Sequence, residues 1–439
     1  MGKAGNWTTL QTDRPAGSAT GAAGAAIDTS VMFRLPWTMP DNAMTWMEPT
    51  QQCNITCDAC FVANNPGSHK SLDEIRQELL TLNRLRKCDA MLIAGGEPLV
   101  HPDIVDIVRM VKSFKLKPVL ITNGVDLDRR LAKELKRAGA FGFTFHIDSH
   151  QSRPGWEGKT ESELNELRQH YADLLYDLGG LSCAFNTTVF EDTLGAIPDI
   201  VRWAVRQSNK VHIMTLICVR MGEVNSEFTY YAGGKQINLS AMPYITKSDY
   251  RKLTTDDIVA EVKTVLTEFT LCAYLGGTVV PRSLKWAIGT HLIAGGESIG
   301  YLGSRSMELI QNGSHFFRGL YLAYSKPATV KRGRTTLMLA MIDPEVRKAL
   351  RRYVKLILRK PLALFRRVNV QSITIVQPTD ILDNGEQDNC DGCPNKTLWH
   401  GELVSACRIE EYRNYGGEIR TIPSSSGKGR TDGSDAADT

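Results

Sequence analysis

Three cysteines on one short segment are the residues of this chain best suited to chemistry. Cys53, Cys57 and Cys60 form a C-x3-C-x2-C run. Iron–sulfur clusters are held by cysteine thiolates, usually four for each cluster. Three thiolates therefore predict a cluster with one iron left open to bind something else. A zinc site is an alternative, although zinc would normally need a fourth nearby Cys or His. A chance grouping of buried cysteines is another.

A second close-spaced group lies near the end of the chain, where Cys390-Asp-Gly-Cys393-Pro is followed by Cys407. This C-x2-C-x13-C spacing again supplies three thiolates and lacks a fourth ligand. It favours an auxiliary iron–sulfur cluster over zinc or a single iron ion. The remaining cysteines, at positions 88, 183, 218 and 272, lie singly in apolar or helical contexts, which is typical of small buried side chains. The close spacing predicts metal ligands rather than disulfides.

A Gly-Gly-Glu-Pro run, from Gly95 to Pro98, ends the apolar stretch 91–94. Two glycines let the backbone approach a ligand closely. Glu97 adds a carboxylate at the same place. Residues 293–297 repeat the letters Ile-Ala-Gly-Gly-Glu, but they lack the proline and follow no clear predicted strand. We therefore interpret that copy as a coincidence.

Alternating strand-like and helix-like segments must position these residues. The predicted strands are 44–49, 89–94, 117–122, 141–147, 181–188 and 210–217, and the predicted helices are 71–87, 102–114, 127–138, 160–178 and 194–207. This alternation predicts an α/β fold with a parallel sheet, open or curled into a partial (β/α)6 TIM-like barrel. Chemistry in such folds lies beyond the carboxyl ends of the strands. The first cysteine group follows the first predicted strand, and Gly95–Pro98 follow the second, so both fall at that edge.

Composition and patterning divide the rest of the chain. Its 439 residues, 42% of them hydrophobic, suffice for one large α/β domain with additions or for two domains. We predict a flexible arm over 1–30, the catalytic core over 31–218, an accessory, substrate-facing region over 219–380, an auxiliary cysteine-cluster region over 381–422 and a disordered tail over 423–439. No secretory signal or membrane-spanning run is apparent, which predicts a cytoplasmic location.

A basic, amphipathic segment covers residues 344–367. It holds nine Lys or Arg residues against one acid, Glu345. Apolar residues at helical spacing predict a helix over 344–359, ended by Pro361. The segment is either a surface helix packed by its apolar side or an interfacial helix that binds anionic lipid or a phosphate-bearing substrate. No stacking pattern or nucleic-acid motif accompanies the charges, and the net charge is only +4, so we expect no nucleic-acid partner.

The first cysteine motif and the Gly-Gly-Glu-Pro run together resemble those of the radical S-adenosylmethionine (radical SAM) superfamily. The resemblance spans residues 44–218. It implies that Cys53, Cys57 and Cys60 hold a [4Fe-4S] cluster whose open iron is chelated by SAM. It also implies that Gly95, Gly96, Glu97 and Pro98 receive the SAM amino group.

Further residues match the superfamily in order along the predicted strands. The matches are Thr122-Asn123-Gly124 after the third strand, His146-Ile147-Asp148-Ser149 after the fourth and Asn186 on the fifth. They imply SAM contacts at Thr122, Asn123, Asp148 and Asn186. Two positions depart from the pattern: Ala59 stands where many members have an aromatic residue, and His146 where a ribose-binding serine is common. Phe61 is an alternative cover for the adenine.

The resemblance also implies the chemistry. One electron, from a flavodoxin or ferredoxin, would cleave SAM to methionine and a 5′-deoxyadenosyl radical, which abstracts hydrogen from a C–H bond. The second cysteine group resembles the C-terminal cluster of the GTP cyclase of molybdenum-cofactor synthesis. This likeness implies an auxiliary [4Fe-4S] cluster at Cys390, Cys393 and Cys407.

Residues 146–161 are similar to the corresponding region of lipid-directed radical SAM enzymes such as tetraether lipid synthases. With the basic helix and the apolar 219–330 region, this similarity predicts a lipid or hydrophobic anionic substrate and a location peripheral to a membrane. His146, His150 and Arg153 are candidate active-site groups, or else pack the structure. The alternatives are a radical SAM maturase of a peptide or small molecule and a non-catalytic zinc-binding interaction protein.

Overall fold

The computed structural model describes residues 27–219, 228–239, 242, 252–382 and 384–423. The strands are β1 Phe33–Arg34, β2 Met44–Thr50, β3 Ala90–Gly95, β4 Lys117–Thr122, β5 Gly142–His146, β6 Ser182–Val189, β7 Ile213–Cys218, β8 Phe228–Ala232, β9 Lys235–Gln236, β10 Ala273–Leu275, β11 Trp286–Ala294, β12 Glu297–Tyr301, β13 Val368–Val376, β14 Asp380–Ile381, β15 Gln387–Asp388, β16 Lys396–Trp399, β17 Glu402–Ser405 and β18 Arg420–Pro423. The helices are α1 Leu72–Leu85, α2 Ile104–Ser113, α3 Arg129–Ala138, α4 Asn165–Leu178, α5 Ile197–Arg206, α6 Thr255–Val265, α7 Ser304–Arg318, α8 Pro327–Val330, α9 Gly333–Thr336, α10 Pro344–Arg359 and α11 Ile409–Tyr415.

The two predicted terminal segments fall largely outside the described residues. Residues 1–26 of the predicted arm and residues 424–439 of the predicted tail are not among them. The described residues of the arm, 27–30, lead into a 3₁₀ turn at Thr29–Val31. Within the described parts of the chain, no helix is long and apolar enough to cross a membrane.

Local sequence signals place the helices. Ser71 caps α1 in a reciprocal arrangement, because its hydroxyl accepts from the Glu74 N–H at 3.3 Å and the Glu74 carboxylate accepts from the Ser71 N–H at 2.7 Å. Asp343 caps α10 by accepting the N–H groups of Glu345 and Val346. The basic segment therefore does form a helix over the predicted residues.

One large sheet carries the fold. Strands β2 to β7 lie side by side and parallel, in chain order, and β13 continues the sheet parallel to β7. Strand β11 then pairs antiparallel with β13, and β10 and β1 complete the path. The predicted α/β class with a parallel sheet is confirmed. Because β1 and β2 are its two unpaired ends, the sheet is a partial barrel rather than a closed one.

The sheet does not stop at residue 218, where the predicted core ends. Strands β10 to β13 come from the 219–380 region. The expectation that residues 293–297 follow no clear strand is wrong. Gly295 and Gly296, both with positive φ, form the two-residue turn between β11 and β12. Strand β11 lacks a clear alternation of apolar and polar residues because both of its sides are largely buried. Its polar residue His291 forms a hydrogen bond with Ser298 of β12 at 2.5 Å.

A buried ion pair holds the long loop that follows β5. The Arg168 guanidinium of α4 donates to the Glu161 carboxylate at 2.5 Å, and both side chains are almost fully buried. The same guanidinium donates to the backbone carbonyl of Ile147, directly after the strand, at 2.9 Å. The pair therefore links the end of β5 to helix α4.

The substitution Glu161→Gln should lower the free energy of unfolding by about 3–5 kcal/mol, because it leaves the Arg168 charge buried without its partner. Denaturant unfolding measures the loss. The matched control is Arg109→Gln, which breaks an exposed pair with Asp106 and should cost less than about 1 kcal/mol. Equal effects of the two substitutions would contradict this assignment.

Candidate functional site

Both cysteine groups line one cavity of about 590 Å³. Cys53, Cys57 and Cys60 lie on the loop after β2, and the second group lies on the C-terminal segment. A volume of this size is ordinary for a small-molecule site. The two groups were predicted separately from the sequence, and the fold brings them to the same space.

Close backbone contact seats the first cysteine loop on β3. The Gly96 N–H donates to the Thr50 carbonyl at 3.0 Å, and the Glu97 N–H donates to the Gln52 carbonyl at 2.8 Å. A Cβ atom on Gly96 would lie 2.3 Å from the Gln52 carbonyl oxygen, and one on Gly95 would lie 2.4 Å from that of Thr50. The two glycines therefore permit a close approach of their backbone to the segment that precedes Cys53.

The Glu97 carboxylate accepts three hydrogen bonds from within the protein. It accepts from the Thr122 hydroxyl at 2.6 Å, the Asn123 N–H at 2.6 Å and the Leu99 N–H at 3.0 Å. Burial raises the pKa of Glu97 to about 7, although these three donors act in the opposite direction. The carboxylate thus fixes the residues that follow β4 against those that follow β3.

Asn123 extends this network to the cysteines. Its side-chain amide donates to the Asn54 side-chain oxygen at 2.7 Å and lies 3.8 Å from the Cys53 sulfur. Arg153 donates to the Asn123 carbonyl at 2.7 Å from the other side. Arg153 thus supports the cysteine loop through Asn123, and it is not itself among the residues that line the cavity.

The loop after β5 forms the other support of the first cysteine group. Cys57 forms an isolated antiparallel bridge with Gln151, and the Asp58 N–H donates to the His150 carbonyl at 2.9 Å. The His150 ring contacts the carboxylates of Asp58 and Asp192. His150 therefore lies beside the cysteine loop without lining the cavity.

The free thiols of the first group are held neutral. Burial raises the pKa of Cys53, Cys57 and Cys60 above the ordinary value. Because the thiolate is the form that binds metal, loading of this site should be accompanied by proton release.

The second cysteine group is anchored at the open side of the barrel, between β1 and β2. Arg34 of β1 pairs with Asp391 at 2.5 Å. On the other side the buried Arg86 guanidinium donates to the Cys393 carbonyl at 2.7 Å and to the Met44 carbonyl of β2 at 3.2 Å. The C-terminal segment therefore bridges the two free edges of the sheet.

The thiols of the second group interact directly. The Cys390 thiol donates to the Cys393 sulfur, which raises the pKa of Cys390 and lowers that of Cys393. Lys396 and Arg86 also lower the pKa of Cys393. The sulfurs of Cys390 and Cys393 therefore lie within hydrogen-bonding distance of each other.

Most of the predicted SAM contacts lie at the cavity. The lining includes Gly95, Gly96, Glu97, Thr122, Asn123, Asp148 and Asn186, whereas Pro98 is buried in the following 3₁₀ turn and does not line it. Among the described residues, no group of three or more His, Cys, Asp or Glu side chains has the arrangement of a single metal-ion site. The donor chemistry nevertheless fits a cluster with soft ligands, since each group offers three cysteine sulfurs to one cavity.

Asp148 is a buried carboxylate on the cavity wall. It contacts the His146 ring at 3.0 Å and accepts from the Thr188 N–H at 3.4 Å. Burial alone would raise its pKa, but the hydrogen bond and charge of His146 outweigh burial, and the pKa of Asp148 is lowered. His146, a candidate active-site group, therefore supports an ionised Asp148 at the end of β5.

The sequence interpretation missed several residues of the site. Helix α11 is fixed to β2 by Arg413, which pairs with Glu48 and with Glu410. No motif marks this contact between distant segments. Beside the predicted Asn186, strand β6 also presents Ser182, Ala184 and Thr188 to the cavity. That run of small and polar residues at every second position was a visible signal.

Parts of this chain are similar to known proteins. The profile of the Radical SAM superfamily matches residues 47–203. GTP 3′,8-cyclase of Chlorobaculum tepidum is 35% identical over 160 residues, which are 35% of this chain and 48% of that protein. Molybdenum cofactor biosynthesis protein 1 of Bos taurus is 34% identical over 106 residues, 23% of this chain and 17% of that protein.

The chain therefore spans about a sixth of the length of the mammalian relatives and about half that of the cyclase. Among solved structures, Streptococcus suis SuiB bound to S-adenosylmethionine is 16% identical with a TM-score of 0.38, over 53% of this chain and 48% of that one.

The substitution Gly96→Ala should lower the free energy of unfolding by about 1–3 kcal/mol, because the new methyl group would meet two backbone carbonyls. Iron bound per chain after anaerobic reconstitution should fall as well, since the cysteine loop is displaced. The control is Gly195→Ala, where nothing lies within 4 Å of the added atom. Unchanged stability and iron content in the Gly96 variant would show that this contact does not position the loop.

Proposed function

We propose that this chain, whose residues 47–203 form a radical SAM domain, is an enzyme that abstracts hydrogen from a lipid or similar hydrophobic, anionic substrate. The observation that carries the proposal is the shared cavity, which joins both cysteine groups to the predicted SAM contacts. A shared cavity would bring cofactor and substrate together away from bulk water.

Cys53, Cys57 and Cys60 would hold a [4Fe-4S] cluster that also binds SAM, and Cys390, Cys393 and Cys407 would hold an auxiliary cluster. When bound and reduced by one electron, the first cluster and SAM supply a 5′-deoxyadenosyl radical that abstracts hydrogen from a C–H bond.

The protein positions these groups and limits access to them. The Glu97 carboxylate fixes Asn123, and Asn123 directs an amide N–H toward the Cys53 sulfur. Hydrogen bonds to cluster sulfurs are one of the ways in which proteins tune iron–sulfur centres. The largely apolar wall would limit the access of water and unwanted hydrogen donors to a reactive intermediate.

The wall of the cavity favours a hydrophobic substrate. Away from the cysteines it is lined mainly by aliphatic and aromatic side chains, such as Ile213, Trp286 and Val370. Its ionisable residues other than cysteine and tyrosine are Asp58, Glu97, Asp148, His146 and His212, within the described residues. Recognition of a polyphosphate usually relies on Arg or Lys, and the described lining contains neither.

Anaerobic reconstitution should load about eight irons per chain, and adding a reductant and SAM should release 5′-deoxyadenosine. Alanine at Cys53, Cys57 or Cys60 should remove about four irons and abolish that release. Alanine at Cys390, Cys393 and Cys407 together should also remove about four irons but leave substrate-free SAM cleavage in place.

The control is Cys183→Ala, a buried cysteine that does not line the cavity. It should retain both the iron and the cleavage. Stoichiometric zinc in the wild type, with no cleavage of SAM, would instead support the non-catalytic zinc-binding alternative.

Exposed apolar side chains support contact with a lipid surface. The seven most exposed large hydrophobic side chains among the described residues, at 72–87%, all lie between positions 316 and 365. They are Phe316, Phe317, Met338, Met341, Leu358, Leu362 and Phe365. Such a concentration supports an interaction site in this region.

The positive charge of helix α10, in the same part of the chain, favours an anionic partner. Helix α10 packs Val346, Ala349 and Tyr353 inward and exposes Arg351, Lys355 and Arg359. Apolar groups beside cations match an anionic bilayer, where each cation contributes about 1 kcal/mol. We therefore propose peripheral binding to anionic lipid.

Replacing Arg351, Lys355 and Arg359 together with Gln should weaken binding to phosphatidylglycerol vesicles by about 3 kcal/mol, or about 100-fold. Co-sedimentation with vesicles measures the change. The matched control replaces the exposed Arg130, Lys133 and Arg137 of α3 with Gln, which removes the same charge elsewhere. Equal losses in both variants, or no binding by the wild type, would reject the lipid surface.

A further inference from the structure

The cavity extends along the strands instead of stopping at their carboxyl ends. On β6 its lining runs from Ser182 to Thr188, and on β13 it runs from Val370 to Val376. Each stretch covers seven residues, and the six rises between them span about 20 Å, so the cavity is long as well as largely apolar. A long apolar cavity suits an extended alkyl chain.

The cavity also reaches exposed residues at both ends of the barrel. At the carboxyl end these residues include Thr56, Asp58 and Cys60, and at the other end the exposed lining residue is Ser325. Two contacts place the segment before Ser325 at the amino ends of the strands. The Ala323 N–H donates to Asp89, just before β3, at 3.1 Å, and Lys117, the first residue of β4, donates to the Tyr324 carbonyl at 2.7 Å.

Several of the most exposed apolar side chains lie at this same end. Phe316 and Phe317 close α7 beside Arg318, which pairs with Asp89 at 2.6 Å. Leu362 and Phe365 lie just before β13 begins at Val368. We call these four side chains, with Leu358, the amino-end surface.

Exposed cations adjoin the amino-end surface and Ser325 along the chain. Arg366 and Arg367 are exposed and directly precede β13. Lys360 pairs at 2.5 Å with Glu297, the first residue of β12, and this pair holds the end of α10 at the amino ends of the parallel strands. Lys326, next to Ser325, is also exposed.

We infer that the acyl chain of an anionic membrane lipid enters the barrel at its amino end, beside Ser325, and extends toward the cysteines while the headgroup stays at the amino-end surface. This inference rests on the proposed function and specifies how its substrate would reach the site. Charge supports this direction, because the cations lie outside the opening and the carboxylates of the lining, Asp58, Glu97 and Asp148, lie at the far end.

Photolabelling tests the entrance directly. The full chain is irradiated on phosphatidylglycerol vesicles that contain a phosphatidylglycerol with a diazirine at the end of one acyl chain, and adducts are located by peptide mass spectrometry. Adducts are expected on residues 182–188 and 370–376. The substitution Ser325→Trp should reduce them about tenfold by narrowing the opening, whereas Ala328→Trp, at an exposed and uncharged neighbour that does not line the cavity, should leave them within about twofold.

Two results would overturn the inference. Adducts confined to residues 358–367 would show docking without entry. Adducts on residues 56–64 that are insensitive to Ser325→Trp would place the entrance at the carboxyl end. Labelling needs neither reductant nor SAM, so a wild type that fails to cleave SAM would count against the proposed function while the pattern of adducts still decides the route.

Discussion

The close approach of two backbone segments at Gly95 and Gly96 is the contact on which the rest of the site depends. Any side chain at Gly96 would meet the carbonyls of Gln51 and Gln52. The approach lets the first cysteine loop extend strand β2 along the end of β3 and places Glu97 where it is buried. Glu97 then orders Asn123, and Asn123 reaches the Cys53 sulfur. The absence of a side chain at Gly96 thus allows Glu97 to be buried, and Glu97 in turn positions the amide that faces the Cys53 sulfur.

The second constraint is the open side of the barrel. A sheet that ends at β1 and β2 leaves two edges without partners, and such edges need to be covered. The C-terminal segment covers them, held by Arg34 on one side and Arg86 on the other. The same covering brings Cys390, Cys393 and Cys407 to the cavity that the first cysteine group lines. The same C-terminal segment therefore covers the open edges of the sheet and supplies the second cysteine group to the cavity.

Local patterns in the sequence predicted the parallel half of the fold, because alternation, glycines and capping residues such as Ser71 act over a few residues. The motif residues were equally visible, and most of the predicted SAM contacts line the cavity. Strands β11 and β13 were missed because both of their sides are largely buried and polar residues such as His291 find partners across the sheet. The pairing of Glu48 with Arg413, and the meeting of the two cysteine groups, depend on tertiary packing that no short window of sequence records.

We propose that both cysteine groups hold iron–sulfur clusters on one cavity. Electron paramagnetic resonance of the anaerobically reconstituted, fully reduced protein tests it most directly, because nearby paramagnetic clusters broaden and split each other's signals. We predict a spectrum that differs from the sum of the spectra of two variants, one with alanine at Cys53, Cys57 and Cys60 and one with alanine at Cys390, Cys393 and Cys407. A wild-type spectrum equal to that sum, or one with the signal of a single cluster, would contradict the presence of two neighbouring clusters.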